Sequence, residues 1–248
     1  MKNLNIVTKT MLISLTFQVI LIFIGFSGFF IKLEEKDNIL TDVLIMDTIV
    51  QAIEALMYLW IFLSISNFST MVKRRYIDWF ITTPIMLLTT IMYMKYNKIN
   101  EQISEKNKIT TFKSFIKSEK ENIIKIFIFN ALMLLFGYLG EAHIINKNVS
   151  IMIGFVLFFL SFNIVYKYID NNETNKKLFY FVFIVWALYG VAALFNSKTK
   201  NICYNFLDII SKNFYGLYIL LVIMTIDKNK NKEGQNKTFI QYLRDLIF

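Results

Sequence analysis

Five ionisable side chains stand inside stretches otherwise dominated by apolar residues: Asp47, Glu54, Asp78, Asp208 and Lys212. Each costs about 2.5–3.5 kcal/mol at the centre of a bilayer on insertion scales, roughly 12–17 kcal/mol for the five, so they persist only where they pair or work. Asp208 and Lys212 are four residues apart and project from one face of a helix. A lysine in apolar surroundings favours its neutral amine, the form that attacks an aldehyde to give a Schiff base. The same spacing also suits an Asp/Lys ion pair that only ties helices together. Asp78 is preceded by the cation Arg75 and followed, one turn later, by the hydroxyl of Thr82, with Trp79 and Thr83 alongside. Asp47, Gln51, Glu54 and Tyr58 advance by 4, 3 and 4 residues and form one polar stripe on a helix. Such a stripe either lines a water-filled path or joins two helices through hydrogen bonds.

The elements that must position these groups are long and apolar. Stretches of spanning length fall at 10–32, 43–65, 76–95, 122–142, 149–169, 176–197 and 201–226, which predicts an all-α bundle of seven transmembrane helices in an integral, multi-pass membrane protein. The chain is 56% hydrophobic and 17% aromatic, with mean hydropathy +0.49, a composition that excludes disorder and an ordinary soluble domain. One cysteine, Cys203, and one histidine, His143, leave no material for a disulfide or a zinc-type metal site. The net charge of +9 does not indicate nucleic acid, because the basic residues lie between the apolar runs, and the partner is the lipid bilayer.

The first run is long enough to span and has no small-residue cleavage site after it, so it reads as a helix of the bundle rather than a removable signal. Leaving Lys212 aside, an outward-facing N-terminus places 18 Lys and Arg on the cytoplasmic side and 8 outside, so the N-terminus is expected outside and the C-terminus in the cytoplasm. Residues 1–226 form the membrane domain. Residues 96–121 are a polar cytoplasmic loop with helical character towards its end. Residues 227–248 are a cytoplasmic tail, in which Phe239, Tyr242, Leu243 and Leu246 suggest a short amphipathic helix.

The segment from Arg75 to Pro84, together with Asp208-Ile209-Ile210-Ser211-Lys212 and Trp186-Ala187-Leu188-Tyr189, resembles the microbial (type 1) rhodopsins, the retinal-binding seven-helix family. The resemblance implies all-trans retinal bound to Lys212 as a protonated Schiff base, with Asp78 and Asp208 as counterions and Arg75 on their extracellular side. It implies that Trp79 and Trp186 sandwich the polyene, that Thr83, Met86 and Tyr189 line the pocket, and that Tyr58 and Tyr189 hydrogen-bond Asp208. Met86 and Ser211 pull the colour in opposite directions, towards green and towards blue. Asn130 stands where many members carry an acid facing Thr83. A protein of this kind is a photoreceptor and not an enzyme; a homo-oligomer is compatible with the pattern.

Several positions depart from the family's pattern. Gly190 and Ala193 replace a proline and a tryptophan, which predicts a looser pocket at that end, and Asn67 to Lys73 are too few for an extracellular hairpin. Thr89 stands where the family's pumps keep a carboxylate donor, while Asp47 stands where they keep its threonine partner, so carboxylate and hydroxyl are exchanged and Asp47 is the candidate donor. Glu54 resembles the central-gate glutamate of the algal channelrhodopsins. Protons or small cations are therefore the expected cargo, and three readings stay open: an outward proton pump using Asp78 as acceptor, a light-gated cation channel with Glu54 in its path, and a sensor. No carboxylate pair for early proton release precedes the seventh run, where Lys198 and Lys200 stand instead.

Overall fold

The computed structural model describes residues 5–64, 68–101 and 110–247; at residue 101 and from residue 231 onward it describes the backbone alone. The helices are α1 (Ile6–Ser27), α2 (Asn38–Leu63), α3 (Phe68–Glu101), α4 (Phe112–Ser118), α5 (Lys120–Glu141), α6 (Lys147–Tyr166), α7 (Glu173–Ala192), α8 (Ser197–Asp208) and α9 (Phe214–Ile247), with a π turn (Ile209–Asn213) joining the last two. No strand occurs among the described residues. Six of the expected spans are α1, α2, α3, α5, α6 and α7, and the seventh is α8, the π turn and the start of α9. Five stretches are long and apolar enough to cross a membrane: Ile6–Phe30, Phe68–Asn100, Lys120–Glu141, Lys147–Tyr166 and Ser197–Lys230. The protein is an integral membrane protein.

Local chemistry sets the helix starts. Asn5, Asn146, Asn172 and Asn196 each accept a hydrogen bond from a first-turn backbone N–H, and Thr111 opens α4 in a capping box with Ser114. Packing then runs α1 on α2, α2 on α3, α3 on α5, α5 on α6, α6 on α7 and α7 on α8, and α1 closes the ring against α8. Large apolar side chains such as Phe23, Leu56, Met152 and Ile184 stay on the outside, where lipid tails replace water.

Helix α3 is longer than its apolar run at both ends. At the far end its last turns are held by neighbours on every side. Tyr96 donates to Asp37 at 2.6 Å, Lys95 to Glu119 at 2.8 Å and Asn97 to Asn175 at 2.9 Å, and Lys98 pairs with Asp170 at 2.8 Å. These contacts account for residues 96–101 being helix where the polar composition suggests loop. The helix expected at the end of that loop is α4, seven residues long. In the tail, α9 runs unbroken to Ile247 and is continuous with the seventh span. The expected amphipathic face of Phe239, Tyr242, Leu243 and Leu246 lies outside the described side chains.

Candidate functional site

The π turn carries Lys212 into the centre of the bundle; single-turn departures of this kind occur mostly at functional sites. Lys212 Nζ donates to Asp78 Oδ2 at 2.7 Å, with Glu54 Oε1 at 3.3 Å and Asp208 Oδ1 at 3.9 Å. All four residues are buried, Glu54 and Asp208 completely. The two aspartates that the resemblance implies as counterions thus lie within 4 Å of Lys212 Nζ, and Glu54 joins them as a third carboxylate. Sequence reasoning set Glu54 apart as a channel residue; the geometry brings it into a cluster of two cations, Lys212 and Arg75, and three carboxylates.

Asp208 is held from three directions. Its Oδ2 accepts from Tyr58 at 2.5 Å and Arg75 at 2.8 Å, and its Oδ1 accepts from Tyr189 at 2.7 Å. The Tyr189 hydroxyl also meets the Ser211 hydroxyl at 2.8 Å. Arg75, 1% exposed, donates further to Tyr58 at 2.9 Å, to Asn201 and to Asn205. Asn205 in turn donates to Thr10 at 2.8 Å, which ties the arginine to α1. Neither asparagine was singled out from the sequence. The signal was present, because Asn201, Asn205, Asp208 and Lys212 advance by 4, 3 and 4 residues, the rhythm of the α2 stripe.

Lys212 stands at one end of a cavity of about 950 Å³ including its mouth, lined by Trp79, Thr83, Met86, Trp186, Tyr189 and Ser211 among others. Tyr58 and Asn130 are not in that lining; Tyr58 acts behind Asp208, and Asn130 donates to Thr83 Oγ1 at 2.7 Å. At Gly190, a Cβ would come within 2.5 Å of the Phe155 ring, so Phe155 takes the space that a proline would fill and that end is not loosened there. At Gly154, which also lines the cavity, a Cβ would meet nothing within 4 Å. A buried amine at the end of an apolar cavity, flanked by two indoles and by carboxylates able to balance a cation, fits an aldehyde chromophore such as retinal.

On the other side of Lys212, Thr89 Oγ1 donates to Asp47 Oδ1 at 3.0 Å, so the exchanged carboxylate and hydroxyl do meet across α2 and α3. Gln51 lies against the backbone of Gly216, where a Cβ would stand 2.3 Å from its amide nitrogen. Asp47 Oδ2, Gln51 Oε1 and both Glu54 oxygens accept no hydrogen bond among the described residues. Thr82 turns to the backbone, donating to the Asp78 carbonyl at 2.9 Å rather than to its carboxylate. At the Arg75 end, Lys200 pairs with Glu141, so the lysine noted in that stretch has a carboxylate partner. Arg74 donates to the Ser64 carbonyl at 3.0 Å and covers the end of α2, and of the short connection noted there Asn67 lies outside the described residues.

A profile of bacteriorhodopsin-like proteins matches residues 9–226. Comparison with curated protein sequences finds no match. Among solved structures, viral rhodopsin OLPVRII is similar at 27% identity and TM-score 0.77, over 90% of this chain and 99% of that one. Exiguobacterium sibiricum rhodopsin aligns at 16% identity and TM-score 0.69, over 89% of this chain and 96% of that one. The proton pumping rhodopsin AR2 from the marine alga Acetabularia acetabulum aligns at 19% identity and TM-score 0.67, over 90% of this chain and 96% of that one. At those lower identities the last two show the fold alone. With the family profile spanning all seven membrane helices, this chain belongs to the bacteriorhodopsin-like family, the microbial rhodopsins.

Proposed function

We propose that the protein is a light-driven outward proton pump with all-trans retinal on Lys212, its N-terminus outside and its C-terminus in the cytoplasm. Bound retinal supplies the light-driven isomerisation that weakens the hold of the Lys212 nitrogen on its proton. Asp78, 2.7 Å from that nitrogen, is placed to take the proton. Arg75 and the two tyrosines hold Asp208 in place through hydrogen bonds, and Asp78 is the carboxylate nearest that nitrogen. Trp79 and Trp186 hold the polyene, and Asn130 fixes the Thr83 hydroxyl beside it.

The observation that carries the pump reading is the Thr89–Asp47 hydrogen bond. Thr89 lies eleven residues along α3 from Asp78, about 16 Å at 1.5 Å per residue, whereas Arg75 lies on the opposite side of Asp78. The proposed donor Asp47 is therefore displaced along the bundle from the proposed acceptor Asp78, on the side away from Arg75, the separation that directed transport requires. A light-gated cation channel is the second reading, favoured by the buried polar stripe of Asp47, Gln51, Glu54 and Tyr58. Photocurrent measured against voltage decides between them. A pump keeps one sign at zero potential with equal ion concentrations on both sides, and a channel reverses with the imposed gradient.

A further inference from the structure

Glu54 approaches Lys212 Nζ at 3.3 Å, is wholly buried, and accepts no hydrogen bond among the described residues. The groups that surround it fix a charge count. Lys212 and Arg75 are the cations, and Asp78, Asp208 and Glu54 are the carboxylates, linked through the contacts already given. Tyr58 and Tyr189 are hydrogen-bonded to Asp208 as donors and add no charge. Helix α1, which packs on both α2 and the π turn, buries only Thr8, Thr10, Ser14 and Gln18 among its polar side chains. The other buried lysine, Lys200, is committed to Glu141. Two cations cannot neutralise three carboxylates, and an uncompensated charge in a site this dry is far costlier than a bound proton.

Asp208 receives three hydrogen bonds and Asp78 receives the short bond from Lys212, so each has donors at hydrogen-bond distance. Glu54 has only the longer approach of Lys212, at 3.3 Å. We propose that Glu54 holds that proton in the resting protein and is the group that returns a proton to the Lys212 nitrogen after Asp78 has taken one, with Asp47 restoring the proton to Glu54. In the return step the O–H bond of Glu54 breaks and an N–H bond forms on Lys212, leaving a Glu54 carboxylate. Asp47 then gives up its own proton towards Glu54 along the α2 stripe, seven residues or about 10 Å away, and regains one from the medium. Gln51 lies between them with an unbonded amide oxygen, an acceptor suited to a water on that path. The inference rests on the pump reading for its second half and on the charge count alone for its first.

The test is infrared spectroscopy of the full chain in lipid, in the dark, with and without retinal. Both samples should show a carboxylic-acid C=O band that shifts in D2O, disappears in Glu54→Gln and moves in Glu54→Asp. In the retinal-loaded protein a flash should bleach that band as the nitrogen regains its proton, and Glu54→Gln should slow this step by about 100-fold or more. Asp47→Asn should keep the Glu54 band in the dark but delay its recovery after the flash. A dark spectrum unchanged by Glu54→Gln overturns the proposal, as does a band that persists while the nitrogen is reprotonated. If the band and its bleaching are present while the photocurrent reverses with the gradient, the Glu54 assignment stands and the pump reading fails.

Discussion

Lys200 and Glu141 form the shortest ion pair between described helices, at 2.5 Å, and close the Arg75 end of the bundle between α8 and α5. Both side chains are nearly dry, 3% and 11% exposed. Replacing Lys200 by methionine keeps most of the length of the side chain and leaves Glu141 without its cation. At an ordinary ion-pair separation of about 3 Å and an effective dielectric of about 20, the gross attraction is about 5–6 kcal/mol. Desolvation of both ions offsets part of it, so removing one partner should cost about 3–5 kcal/mol. At about 2–4 °C per kcal/mol for a chain of this size, Lys200→Met should lower the midpoint of thermal bleaching of the retinal-loaded protein by about 6–20 °C. The double replacement Lys200→Met/Glu141→Leu should recover most of that loss, because two apolar side chains need no charge compensation. A single variant within about 1 kcal/mol of the parent, the usual worth of an exposed pair, would refute the reasoning, as would a double variant no better than the single one.

Lys212→Ala should insert and fold yet give no visible absorption with all-trans retinal, measured by difference spectroscopy; a coloured product without added amine would sink the lysine assignment. Asp78→Asn should shift the absorption of the retinal-loaded protein to the red and abolish transient loss of the nitrogen's proton, because the anion 2.7 Å from Lys212 is gone; an unchanged flash record counts against it. Asp47→Asn should make recovery of the photocycle dependent on the pH of the cytoplasmic medium, and Thr89→Val should do the same more weakly, read by flash photolysis in vesicles. At the far end of α3, burial would raise the Glu119 carboxyl, but hydrogen bonds from Lys95, Tyr168 and Asn122 outweigh it and hold the group below its ordinary 4.5. A lowered value stabilises the folded state above the unfolded-state value and loses that contribution as pH falls through the folded one. The stability advantage of the parent over Glu119→Gln should therefore be level above about pH 5 and shrink below it, in a series of thermal midpoints against pH.

The seven spans were legible because an apolar run of about twenty residues has few other fates. What the sequence hid was where polar chain remains helical. Residues 96–101 read as loop by composition, yet Tyr96, Asn97 and Lys98 find partners on three neighbouring segments, and those contacts exist only once the bundle has closed. The π turn was equally silent, since no residue pattern in Ile209–Asn213 marks it. The loosening expected at Gly190 failed for a related reason: Phe155, on another helix, fills the space. By contrast, the exchange of carboxylate and hydroxyl between Asp47 and Thr89 was visible in advance through the resemblance to the family's pumps, and the two groups do meet.

The position of Glu54 was recoverable by the same kind of alignment. Helices α2 and α8 run in opposite directions, and the Tyr58–Asp208 hydrogen bond fixes their register at one point. One turn back along α2 is Glu54, and one turn forward from Asp208 is Lys212, so the two must meet. They do, at 3.3 Å. A further turn in the same sense brings Gln51 against the backbone of Gly216, and a Cβ there would lie 3.8 Å from that of Asp47. The stripe on α2 and the face bearing Asp208 and Lys212 are therefore one seam, closed at the Arg75 end by a saturated hydrogen-bond network and left with unbonded oxygens at Glu54, Gln51 and Asp47. Unbonded buried oxygens are costly in a seam that only joins helices. That cost supports the proposed reading of the seam as a path on which protons move.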